Sequence, residues 1–236
     1  MSIALGLTLA ASVAVNVRTY SMVREYYREL NEVRLNPIGA RNFDREPVVP
    51  SGRAIAVLFG DSRAAQWQPL PDVPDLTFVN RGIGSQTSEQ ALLRFDEHVA
   101  PLRPEVVIIE IGVNDLKAVG MLPQRRSEIV SALKANITEM LRQARVLGAH
   151  VVLMTVIPPG NLPLERRLVW SDEIDVALVE VNQWIRSQAT DGVVVFDADP
   201  ILTGPDGTTK QRYQRDFLHL NGEGYEHLSA GLAPLL

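Results

Sequence analysis

The stretch Ala54-Ile55-Ala56-Val57-Leu58-Phe59-Gly60-Asp61-Ser62-Arg63-Ala64 decides the fold. Its first six residues are all apolar and stop at Gly60. A short, fully apolar run bounded by glycine reads as a strand buried on both faces, as in a parallel sheet. A serine just past such a strand sits where open α/β sheets hold ligands, outside the carboxyl ends of the strands. If a helix begins at Ser62, its free N–H groups point at whatever the hydroxyl attacks. Two readings of Asp61-Ser62 stand side by side: a helix cap, or a nucleophile.

Working outward, apolar runs at Leu76–Asn80, Glu105–Ile111, His150–Ile157 and Val193–Phe196 read as four further strands. Helical spacing appears in Ser88–Val99, Glu128–Leu147, Glu173–Gln188 and Asn221–Leu235, with Gly148 closing the second and Asn221 capping the last. Strands alternating with helices imply a five-stranded parallel sheet covered by helices on both faces. Polar segments end the strands or fill the last long loop: Gly60–Ser62, Gly82–Ser85, Gly112–Asp115 and Asp216–His219. The alternation lets all four meet on one edge. Loops Gln66–Asp75, Leu116–Gln124 and Pro158–Ser171 would then shape the pocket. The last carries Arg166, Arg167 and Trp170, read chiefly as a solvated surface loop.

Ahead of this domain, Ile3–Val17 is almost wholly apolar, with Thr8, Asn16 and the small Ser12 as exceptions. It is shorter than the about 20 residues of a spanning helix, and Ser12-Val13-Ala14 offers a small-residue cleavage site. No Lys or Arg precedes it, whereas Arg18, Arg24, Arg28 and Arg34 follow. Anchor and signal peptide are both open. A retained anchor would leave the following domain on the cytoplasmic side. A charged helix is expected over Tyr20–Leu35, with Tyr26, Leu30 and Val33 at helical spacing, then a linker over Asn42–Arg53. The division is residues 1–50 and 51–236. Localisation is read as membrane-anchored or exported, with a cytoplasmic enzyme as the alternative.

The chain of 236 residues has net charge −5 and no cysteine. There is no basic stripe interleaved with aromatics, so nucleic acid is not expected as a partner. Thiolate metal sites, disulfides and a cysteine nucleophile are excluded together. His98, His150, His219 and His227 form no metal-ligand spacing, and Gly82-Ile83-Gly84 lacks the third glycine of a dinucleotide fingerprint. No metal and no cofactor are expected.

A serine nucleophile needs a base, an orienter and oxyanion donors. Asp216 and His219, three apart, can supply base and orienter from one loop. A packed or capping histidine is the alternative at His219, and it is the reading for His98, His150 and His227. Asn114, read as the end of the third strand, carries an amide able to donate; an Asx turn capped by Asp115 is its alternative. Gly84 and Ser85 offer backbone N–H groups.

The segments FGDSR, NRGIGSQTS, GVND and DFLHLN, in this order, resemble the signature blocks of the SGNH/GDSL hydrolase family from about Ile55 onward. The resemblance implies a flavodoxin-like three-layer α/β/α sandwich and a serine hydrolase acting on a small-molecule carboxylic ester through an acyl-enzyme. It implies Ser62 as nucleophile, His219 as base and Asp216 as orienter. The oxyanion hole would take Ser62, Gly84, Ser85 and Asn114. The first block usually continues to Leu, where this chain has Arg63. The oxyanion glycine of the second block is Ser85, with Gly84 just before it. The last block has Phe217 where glycine is familiar. Two alternatives remain: an O-acyltransferase using the same residues, and a membrane-tethered binding module without catalysis.

Overall fold

Ala54–Gly60 forms strand β1, and its alternation builds the molecule. Val57 and Phe59 point into one core, Ala56 and Leu58 into another. The same alternation runs through β3 (Val106–Glu110) and β4 (His150–Met154). With β2 (Leu76–Gly82) and β5 (Val193–Phe196) they make a parallel sheet of order β2-β1-β3-β4-β5. The computed structural model describes residues 2–43 and 52–236.

Helices α3 (Ser88–Val99), α4 (Val113–Met121), α5 (Arg126–Val146) and α6 (Asp172–Arg186) contribute to the first core. The other face is covered by α7 (Asp199–Leu202) and α8 (Gly222–Leu232), with Ala64 of α2 (Ser62–Ala65) and Trp67. The result is the three-layer α/β/α sandwich expected, with strands buried on both sides.

Register brings the polar segments level. Gly60 pairs with Gly82 of β2 and with Glu110 of β3. The segments after these residues therefore leave the sheet side by side. Gly60 is where β1 and β3 crowd most: a Cβ there would lie 1.8 Å from the Glu110 carbonyl oxygen. Only glycine fits that approach.

Three expectations need correction. Leu116–Gln124 is not a loop: α4 occupies Val113–Met121, because Leu116 and Val119 bury against the sheet. Asn114 accordingly lies in the first turn of α4, not at the end of β3, and the N-cap is Gly112 rather than Asp115. The fourth strand stops at Met154, since its ladder partner β5 ends at Phe196.

Residues up to Arg41 and residues from Asn42 form separate compact units. In the first, the apolar run and the charged helix are one continuous helix, α1 (Ser2–Leu35), with no break near Val17. Nothing in Val17-Arg18-Thr19-Tyr20 interrupts a helix: there is no glycine or proline. Its apolar side chains, Ile3 through Val17, are exposed. By length and composition, Ile3–Leu35 is long and apolar enough to cross a membrane. Most of the expected linker, and the 50/51 boundary, lie outside the described residues.

Candidate active site

Ser62 opens α2 directly behind β1, so its position follows from the buried strand. Asp61 caps the helix, accepting from the Arg63 N–H at 2.9 Å. The capping reading is thus satisfied by Asp61 alone, and the Ser62 hydroxyl is left for another partner. That partner is His219: Nε2 lies 2.9 Å from Ser62 Oγ.

The loop carrying His219 is shaped from within. Asp216 Oδ1 accepts from the N–H groups of Leu218 at 2.8 Å and His219 at 2.9 Å. The His219 ring Nδ1 sits 2.9 Å from Asp216 Oδ2. Burial disfavours the ionised carboxyl, but the Leu218 and His219 N–H groups and the ring outweigh it and hold the Asp216 pKa at about 2. An ionised carboxylate only accepts, so Nδ1 carries the proton and Nε2 is free to accept from Ser62. An antiparallel bridge between Gln214 and Leu220 closes the loop, and Asn221 caps α8 just beyond.

On the other side of Ser62 runs the segment after β2. Gly84 sits in van der Waals range: a Cβ there would be 3.8 Å from Ser62 Cβ. Ser85 has φ +63°, a left-handed conformation that costs an L-residue about 1–2 kcal/mol. The backbone N–H groups of Ser62, Gly84 and Ser85 meet no acceptor among the described residues. Asn114 Nδ2 donates to the Gln86 carbonyl at 2.9 Å, and Lys117 Nζ donates to its Oδ1 at 3.3 Å. That fixes the amide orientation and leaves one Nδ2 hydrogen uncommitted. His219, held by Asp216, and Gly84 thus flank the Ser62 side chain, with Ser85 next to Gly84 in the chain and Asn114 bonded to the following Gln86 carbonyl.

Several residues that hold this arrangement carried no motif. Arg94, fully buried in α3, donates to Gly60 O (2.9 Å), Arg81 O (2.9 Å) and Gln86 Oε1 (2.5 Å). Burial, with Arg81 nearby, lowers its pKa to about 9. Asp115 accepts from the Ser88 N–H at 2.9 Å and the Ser88 hydroxyl at 2.6 Å. Burial outweighs those bonds and raises its pKa to about 6. Beneath Ser62, burial also raises the carboxyls of Asp61 and Glu110, most strongly Glu110, which faces the Asp61 charge.

Residues 54–227 match the profile of the GDSL-like Lipase/Acylhydrolase family. The chain belongs to this family. The uncharacterized lipoprotein YqeF of Bacillus subtilis is 30% identical over 118 residues, covering 43% of this chain and 48% of that protein. Esterase TesA of Pseudomonas aeruginosa is 34% identical over 87 residues, 37% of this chain and 39% of that protein. The chain thus matches about half the length, or less, of these curated relatives. A GDSL-like lipase from Bacteroides thetaiotaomicron shares the fold, with TM-score 0.58 and 23% identity over 86% of this chain and 95% of that one.

The remaining histidines of this GDSL-like chain lie apart from Ser62 in role. His98 is buried near the end of α3 with Nδ1 3.3 Å from Arg94 Nη1; His150 opens β4 exposed; His227 contacts the Glu223 carbonyl within α8. Phe217 packs edge-on against Trp170 at 6.2 Å and lies under Arg166 at 5.4 Å. The Pro158–Ser171 loop is tied there too, since the Gly160 N–H donates to Phe217 O at 2.7 Å. Among the described residues no group of three His, Asp or Glu is placed to hold a metal ion.

Proposed function

We propose that this chain hydrolyses small carboxylic esters through an acyl-enzyme on Ser62. One observation carries the reading: an unbroken hydrogen-bonded path from ionised Asp216 through His219 to Ser62 Oγ. In the first half-reaction Oγ attacks the ester carbonyl carbon while His219 Nε2 takes its proton. The imidazolium that forms is held by Asp216. Negative charge develops on the carbonyl oxygen, where the N–H groups of Ser62, Gly84 or Ser85 and the free Asn114 hydrogen can donate. Collapse expels the alcohol, which takes the proton from His219. Water then attacks the acyl-enzyme by the same exchange and restores Ser62.

Membership of a lipase/acylhydrolase family supports ester substrates, and so does the esterase name of one relative. Helix α1 supports an anchored or exported protein, as does the lipoprotein name of another relative. The test is a fluorophosphonate probe on the full chain. Stoichiometric labelling at Ser62, lost in S62A and slowed in H219A, is expected. A wild-type chain that neither labels nor cleaves p-nitrophenyl acetate would leave a binding module in place of an enzyme.

A further inference from the structure

Arg63 is the residue at which this chain leaves the usual first block, and it is buried, with 1% of its surface exposed. Burying a guanidinium is costly unless its hydrogen bonds and charge are met. Its Nε donates to the Leu218 carbonyl at 2.9 Å, and its Nη1 donates to the Ile157 carbonyl at 2.6 Å. Its charge acts on the buried carboxyls of Asp61 and Glu110. Burial and the neighbouring Asp61 charge raise the Glu110 carboxyl, while the Arg63 guanidinium lowers both acids. Arg63 Nη2, Asp61 Oδ2 and Glu110 Oε2 are buried without a hydrogen-bond partner among the described residues, so the guanidinium is met by two carbonyls and by charge.

The connectivity is more telling than the burial. Arg63 directly follows Ser62, and Leu218 directly precedes His219. Arg63 is itself held at its backbone: Tyr225 donates its hydroxyl to the Arg63 carbonyl at 2.9 Å, and the Arg63 N–H reaches Asp61 at 2.9 Å. One side chain therefore bridges the immediate neighbours of the hydroxyl and the imidazole. The Asp216 bonds lie within four residues and shape the loop, but they do not fix its distance from α2.

We propose that Arg63 is a positioning residue that sets the separation of His219 from Ser62 by gripping the Leu218 carbonyl. This rests on the reading of Ser62 and His219 as nucleophile and base. Leucine at position 63 fills space but donates nothing, so the loop backbone loses this tether to α2, leaving the His219–Ser62 contact and the Tyr225 bond to the residue-63 carbonyl. A displacement of about 1 Å at reacting groups can cost on the order of 10²-fold in rate. Substrate binding does not involve Arg63, so KM is not its readout.

The experiment compares wild type, R63L, R63K and R63A as full chains on p-nitrophenyl acetate, with kcat expressed per fluorophosphonate-titrated site. For R63L, kcat falls about 10- to 100-fold while KM stays within about two-fold. R63K, which retains one cationic donor group, falls less. R63A recovers part of its kcat with added guanidinium ion and none with ammonium ion. Titration removes unfolded protein from the comparison, which a merely structural role would not survive. Wild-type kcat per site in R63L, or no guanidinium rescue of R63A, overturns the proposal while the hydrolase reading stands. If R63L does not fold, R63K decides alone: a lowered kcat at unchanged KM supports the role and a wild-type kcat overturns it. A wild-type chain that neither labels nor turns over fails on the earlier reading instead.

Discussion

The loop Asp216–His219 and the segment Gly82–Ser88 flank Ser62, yet the side chains that shape them act over very different lengths of chain. Asp216 reaches Leu218 and His219, two and three residues away. Gln86 is held by Asn114 from 28 residues away, Ser88 by Asp115 from 27, and the end of β1 by Arg94 from 34. Asp216 shapes the half-exposed first loop from within, and Arg63 and the Gly160 N–H tether its backbone; the second segment is an extension of the buried core. Damage to the first should cost rate without stability, and damage to the second should cost both.

That contrast can be broken or sharpened by experiment. S62A, which removes the hydroxyl itself, should lower kcat by about 10⁶-fold with an unchanged melting temperature. D216N should lower kcat by about 10⁴-fold, because an amide favours the wrong imidazole tautomer. Its melting temperature should move little, since Asp216 is exposed; a large drop would deny that Asp216 shapes the loop only locally. N114A should lower kcat by about 10²–10³-fold and also destabilise, because the Gln86 carbonyl loses its donor. R94M should act mainly on stability, by about 3–5 kcal/mol, since a buried cation that donates to three acceptors is lost, although Gly60 O keeps the Ile83 N–H; denaturant unfolding measures it.

The smallest effect is pH-dependent. Asp115 releases its proton near the ordinary 3.8 when unfolded but near 6 when folded. Between those values the unfolded chain binds fewer protons, so raising the pH favours unfolding. Its contribution declines by up to about 3 kcal/mol across that window. Unfolding free energies measured at pH 4 and pH 7 should differ less in D115N than in wild type. An identical difference in both would remove Asp115 from the account.

The same contrast explains which features are legible in the sequence. Apolar runs such as Ala54–Phe59 and the alternation of strands with helices announced the sandwich, because strand burial is written in consecutive residues. The positions Asp216 and His219 were readable as a pair because three residues of spacing suffice for contact. Arg94, Asp115 and Arg63 were opaque in their supporting roles: each acts on a carbonyl or N–H far along the chain, and a buried arginine has no periodic signature. Helix α4 is hard to read because its buried face is narrow and its start lies inside GVND. The continuity of α1 is hidden by the change from apolar to charged residues, which looks like a boundary although neither kind of residue ends a helix.

Gly60 carries a last consequence. With no side chain there, two backbones press together and the Ser62 hydroxyl inherits its footing from the floor of the molecule rather than from its rim. The surrounding loops can therefore change without altering the height of Ser62. A single methyl group at that glycine would instead wedge the floor apart beneath it.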